Sequence, residues 1–136
     1  MDFRQVEQDL VRDEGLQLKP YRCPAGKLTI GVGRNIEDNG ITRDEAMFLL
    51  EQDIQRCVVD LDRALPWWRD LSHARQNALV NMCFNLGIAR LCKFERMLSG
   101  LRDGDWETAW AEALGSRWAN QVGERAVRIA QAFKGA

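Results

Sequence analysis

Residues 13–35 read DEGLQLKPYRCPAGKLTIGVGRN and set Glu14, Cys23 and Thr29 at Glu-x8-Cys-x5-Thr spacing. The stretch before it is helical in pattern: Phe3, Val6 and Leu10 recur on one stripe, and Glu14 falls four residues beyond Leu10 on the same side. A carboxyl on an apolar stripe is expected to be partly desolvated, which raises its pKa and suits a general acid. Gly15 fits a left-handed position that ends the helix. Pro20, Pro24 and Gly26 punctuate the next segment, so Cys23 is expected in an exposed turn. Leu28 to Val32 reads as a short strand with Thr29 and Gly31 on one face. A helix end leading into a hairpin would bring an acid, a thiol and a hydroxyl together. Singly, each has an ordinary reading, namely a solvated helix-end Glu, a buried inert Cys and a strand Thr. Their joint spacing is what points to a site.

A chain of 136 residues, 46% hydrophobic and 29% charged, is long enough for one core without staples, so a single domain is expected. Cys23, Cys57, Cys83 and Cys92 form no CxxC pair and accompany a single His73, which argues against zinc. Reduced thiols and no metal or cofactor are expected. MDFRQVEQDLVRDE at the N-terminus lacks an apolar signal core, and no run is long enough to span a bilayer, which predicts a protein made in the cytosol. Net charge is −1 but uneven: residues 42–70 hold four Arg against seven acids, while residues 116–136 hold three Arg and one Lys against Glu124. The basic segment suits an anionic polymer such as a cell wall and equally a solvated helix face. The basic residues are too few, and too free of any known motif, for nucleic-acid binding.

The remainder reads as helices. Thr42 and Glu45 form a capping box, and Met47, Leu50, Ile54, Cys57, Leu61 and Ala64 continue an apolar stripe toward Pro66. Trp67 and Trp68 are expected to pack at the end of that helix, with a sugar-stacking platform as the alternative. Ser72 caps a second helix to about Leu86, stopped by Gly87. Its Leu79, Val80, Met82, Cys83 and Phe84 make it apolar on most sides and predict a central buried helix. Asn77, Asn81 and Asn85 then draw one polar line on a buried cylinder, where amides need partners. Asp105 caps a helix carrying Trp106, Ala109, Trp110, Ala113 and Leu114, ended by Gly115.

The segment from Asp13 to Gly33 resembles the catalytic segment of the phage-type lysozymes (endolysins) of glycoside hydrolase family 24, where a Glu, an Asp or Cys, and a Thr recur at this spacing. ALVNMCFNLG, residues 78–87, is similar to the family's core helix, whose end borders the substrate groove, and Ser116 to Gln121 with Arg125 beyond it resembles its SRWxNQ segment. The resemblance implies an α+β, mostly helical, lysozyme-like fold. It implies a small β-hairpin lobe over about 13–42, a connecting helix over about 43–65, and a helical lobe over about 66–136 with 1–12. It implies a muramidase hydrolysing the β-1,4 bond between N-acetylmuramic acid and N-acetylglucosamine of bacterial peptidoglycan, in phage or prophage host lysis. Glu14 would be the acid, paired with Arg125, while Cys23 and Thr29 would act on the opposite side of the sugar ring. Asn81, Phe84, Asn85, Arg117 and Arg125 would bind or support substrate. A monomer that depends on a holin is implied, reaching the cell wall from the host cytoplasm once the inner membrane is permeabilised.

Three departures stand out. Arg34 occupies a position where some members carry His, so an ion pair from that His is expected to be absent. The stretch from Asn35 to Thr42 is short and leaves room for one hairpin and little further sheet. Met97 and Glu112 fall where neutral polar residues are expected. Two rivals remain: a Cys-His amidase or peptidase using Cys23 and His73, and a non-catalytic wall-binding module built on the five Trp and the basic C-terminal segment.

Overall fold

In the computed structural model, which describes residues 1–135, the chain is mostly helical with one small antiparallel sheet of order β1-β2-β3, the α+β class expected. The chain divides into two compact units, Met1–Phe48 and the residues from Leu49 onward. No helix among the described residues is long and apolar enough to cross a membrane.

The first unit opens with α1, Phe3–Glu14, whose N-cap Asp2 accepts from the Gln5 N–H at 3.1 Å. Gly15 stops it at φ 80°, but with ψ 166°, an extended exit rather than the left-handed helical one. The chain then forms β1, Gln17–Arg22, β2, Leu28–Gly31, and the two-residue β3, Arg34–Asn35. β2 ends one residue earlier than the alternation suggests, because Gly31 adopts φ 71° and, with Gly33 at φ 67°, turns the chain back into β3. The short stretch after Asn35 adds a single helical turn, α2, Ile36–Asn39, capped by the Asn35 side chain.

The helix α3, Arg43–Ala64, begins at the expected capping box: the Glu45 N–H donates to Thr42 Oγ1 at 3.1 Å and the Thr42 N–H to Glu45 Oε1 at 2.8 Å. In the second unit a 3-10 turn, Trp68–Asp70, leads to α4, His73–Leu86, capped by Ser72 and stopped by Gly87. The short α5, Ile88–Leu91, precedes α6, Glu95–Asp103, α7, Trp106–Leu114, α8, Arg117–Val122, and α9, Glu124–Lys134. Leu61, Leu79, Met82, Leu91, Met97, Leu101 and Phe133 are its largest fully buried side chains. Trp68 belongs to that core, with its indole N–H on Asp62 Oδ1 at 2.7 Å. Buried Trp68 is not a sugar platform, whereas Trp67 is only half-buried against the core.

The helix α4 is less enclosed than its composition implies. Ala78, Leu79, Met82, Cys83 and Leu86 are buried, but Phe84 is 46% exposed and Asn77, Asn81 and Asn85 all lie on the open side. The amide line therefore marks the solvent-facing stripe of an amphipathic helix, not a polar seam through a core.

At the α6 and α7 crossing, a Cβ added to Gly100 would stand 2.9 Å from the Asp105 carbonyl oxygen and 3.1 Å from the Ala109 nitrogen. Both are backbone atoms that no rotamer change can move. Gly100→Ala is therefore expected to cost about 1–3 kcal/mol as an overpacked contact, read as a lowered urea midpoint at unchanged slope. A midpoint equal to wild type would show that the two helices separate freely.

Candidate active site

The first unit holds Glu14, Cys23 and Thr29, each placed by a different piece of local chemistry. Thr29 sits in the middle strand, with Tyr21 as its partner on one side and Asn35 on the other. It is 3% exposed, and its hydroxyl donates to the Lys27 carbonyl at 2.8 Å. Cys23 comes directly after β1 and starts a tight loop. Its N–H donates to that same Lys27 carbonyl at 3.0 Å, and the Gly26 N–H donates back to the Cys23 carbonyl at 2.8 Å. Pro24 presets the turn and Gly26, at φ 80°, lets it close. The Lys27 carbonyl thus joins Cys23 to Thr29 through two donors on one acceptor.

The loop also favours the thiolate. The Cys23 pKa is lowered from its ordinary 9.0, first by the Lys27 backbone N–H and then by the Ala25 N–H and the Thr29 hydroxyl, with desolvation opposing. Cys23 lies in the expected turn and is half-buried there. Cys83 shows the contrast. Burial, with Cys57, Asp60 and Cys92 nearby, pushes its thiol up to about 12.

Glu14 ends α1 against the β2–β3 turn, where a Cβ on Gly33 would lie 3.1 Å from its Oε2. Glycine there serves both the positive φ and the close carboxylate. The desolvation expected for Glu14 is not realised. The residue is exposed, and Phe3, Val6 and Leu10 on its stripe are 70%, 39% and 48% exposed.

Arg34 stands where some members of the family carry His. Its guanidinium makes a forked pair with Glu45, Nη2 to Oε2 at 2.7 Å and Nη1 to Oε1 at 2.9 Å, and also donates to the Gly40 carbonyl. An ion pair is present at this position, formed by arginine in place of histidine. With the Thr42 N–H it depresses the Glu45 pKa from 4.5 to about 2. A carboxyl whose folded pKa is depressed stabilises the fold above its unfolded value, and that contribution is lost as pH falls through the folded value. The stability gap between wild type and Arg34→Ala should therefore be full above pH 4.5 and shrink toward pH 2. Urea titrations across that range give the test, and a gap independent of pH would sink it. The gap should be small, since both side chains are about two-fifths exposed.

The second unit holds the other candidates. Asn81 accepts from Arg125 Nε at 2.8 Å on its side-chain oxygen and from Arg125 Nη2 at 3.3 Å on its carbonyl. Asn85 accepts from the buried Trp118 indole N–H at 2.8 Å. Leu50, Ile54, Asn77, Val80, Asn81, Phe84 and Arg125 line an open pocket of about 260 Å³, an apolar floor edged by amides and one guanidinium. Arg117 is exposed at the first residue of α8. Met97 is fully buried, and Glu112 pairs with Arg96 at 3.3 Å. His73 is exposed at the start of α4. Among the described residues no group of three or more His, Cys, Asp or Glu could hold a metal ion.

Residues with no local sequence signal also shape the first unit. Arg22 Nη1 donates to Glu37 Oε1 at 3.2 Å and to the Gly26 carbonyl at 3.0 Å, and Lys27 Nζ reaches Asp38 Oδ1 at 3.2 Å. The two ion pairs join residues 15 and 11 positions apart in the chain, beyond the reach of helix or strand periodicity.

Comparison with known proteins gives matches over most of the chain. The family model described as Phage lysozyme matches residues 11–131. The chain is 35% identical to the pre-baseplate central spike protein Gp5 of Enterobacteria phage T4 over 88% of its own length, but spans only 26% of that relative. It is 30% identical to the SAR-endolysin of Escherichia phage Mu, covering 92% of this chain and 77% of the relative. It is 33% identical to an endolysin of Acyrthosiphon pisum secondary endosymbiont phage 1, covering 76% and 70%.

Proposed function

This chain belongs to the phage lysozyme family, and we propose that it is a muramidase cleaving the β-1,4 bond between N-acetylmuramic acid and N-acetylglucosamine in bacterial peptidoglycan. The observation that carries the reading is the shared acceptor at Lys27, which ties the Cys23 loop to Thr29 in the same unit as Glu14. Glu14 is the acid that protonates the departing glycosidic oxygen as positive charge builds on the muramic carbon. Its exposure leaves the carboxyl open to substrate. Cys23, kept below the ordinary thiol pKa, supplies the anion for the other face of the ring, as base toward water or as nucleophile toward carbon. Thr29 is buried with its hydroxyl on Lys27. Its part is to hold Cys23, and an attacking water falls to the thiolate.

In the second unit, the Asn81, Phe84 and Arg125 pocket offers what a glycan needs, an apolar surface for a sugar face with amide and guanidinium donors around it. Asn85, which accepts from the Trp118 indole N–H, and the exposed Arg117 are the further polar groups assigned to substrate. Host lysis by a monomer acting on the wall, with a holin opening the inner membrane, is the proposed setting.

Mass spectrometry of digested peptidoglycan tests the reaction. Hydrolysis leaves reducing muramic acid ends. Anhydro-muramic ends would replace hydrolysis by transglycosylation, and free stem peptides without new sugar ends would overturn the muramidase reading in favour of a Cys-dependent amidase.

A further inference from the structure

The Cys23 loop is clasped from outside by α2, which residues from both stems of the loop reach. Arg22 and the Leu28 N–H both donate to Glu37 Oε1, at 3.2 and 3.3 Å, while Lys27 Nζ lies 3.6 Å from Glu37 Oε2 and 3.2 Å from Asp38 Oδ1. Arg22 closes the ring by donating to the Gly26 carbonyl at 3.0 Å. One carboxylate therefore fixes both stems of a five-residue loop, Cys23 to Lys27, whose last carbonyl sets the Cys23 and Thr29 geometry. These ion pairs are exposed, with side chains two-fifths to two-thirds accessible, so their worth to global stability is small. A contact network that adds little stability yet converges on one functional loop acts on position.

We infer that Glu37 is a positioning residue for Cys23, holding the loop whose Lys27 carbonyl ties the Cys23 N–H to the Thr29 hydroxyl; its catalytic meaning rests on the muramidase reading above. The charged groups around the loop are Arg22 and Lys27 on the hairpin and Glu37 and Asp38 on α2. Removing Glu37 leaves Lys27 its Asp38 partner and Arg22 the Gly26 carbonyl, but takes away the acceptor that joins Arg22 to the Leu28 N–H. The loop then loosens, the hydrogen bonds that lower the Cys23 pKa weaken, and the thiol returns toward its ordinary value.

The test reads Cys23 directly. Alkylation by a small thiol reagent is measured across pH on the intact protein, with the Cys23 peptide quantified by mass spectrometry. Glu37→Ala should raise the Cys23 midpoint by about 0.5–1 unit and lower kcat on peptidoglycan about three- to tenfold with little change in KM. Tm should stay near wild type. Glu37→Gln, which keeps an oxygen acceptor for Arg22 and Leu28, should restore most of the midpoint. Should Glu37→Ala fail to fold, Arg22→Ala carries the same expectation. An unchanged Cys23 midpoint in a folded Glu37→Ala or Arg22→Ala protein overturns the inference, whatever happens to activity. Because the alkylation needs no substrate, it judges Glu37 even if the wild-type protein cleaves no glycan, an outcome that would overturn the muramidase reading alone.

Discussion

Purified Glu14→Gln protein should lose at least about 10²-fold in peptidoglycan hydrolysis while folding as wild type does. The substitution keeps the shape that meets Gly33, where the carboxyl oxygen stands 3.1 Å from a would-be Cβ, and removes only the transferable proton. Glu14 is exposed and α1 contains no buried residue, so neither a core contact nor a buried charge is disturbed. Tm should move little. Binding to the wall should survive, because the loss falls on the chemical step and appears in kcat. Glu14→Gln that clears cell walls at near wild-type rate with an unaltered thermal melt would remove the carboxyl from the mechanism.

The second large effect is at Cys23. Cys23→Ser should lose most activity, since a hydroxyl is far harder to deprotonate than a thiol whose pKa the loop already lowers. Cys23→Asp should keep substantial activity by restoring an anion. The sign of the pH effect depends on which form works. The base must be deprotonated, so activity rises with pH through its pKa. Replacing a thiol with a carboxyl of pKa near about 4 moves that rising limb to lower pH. Thiol reagents should inactivate wild type, and glycan should protect it. Cys83, buried and pushed up to about 12, should react far more slowly. A fully active Cys23→Ser enzyme would make the thiol a bystander.

What was readable in the sequence was local. The Thr42–Glu45 box, the Ser72 and Asp105 caps and the glycine stops all work between residues three or four apart, and they appear where the pattern placed them. The hairpin carrying Cys23 was legible for the same reason, from Pro24 and Gly26. Burial was not. A stripe such as Phe3, Val6 and Leu10 states which side of a helix is apolar, not whether anything covers it. The composition of α4 likewise suggested enclosure on most sides, whereas Phe84 and three asparagines share an open one. Long-range polar partners were silent too. Glu37 on Arg22 and Arg34 on Glu45 are ordinary surface residues until the fold brings them together.

Arg75 bears on how the protein is made. From α4 it stacks on the Trp106 ring at 3.6 Å and donates to the Phe133 carbonyl at 2.8 Å and the Lys134 carbonyl at 3.3 Å, next to the fully buried Phe133 side chain. The helical unit therefore cannot close until residue 134 has been synthesised. At the usual pace of about 5–20 residues per second, the 58 residues from Arg75 to Phe133 take about 3–12 s on the ribosome. For those seconds α4 has been translated without α9, which packs against it. The helical unit therefore matures only after translation has passed Lys134.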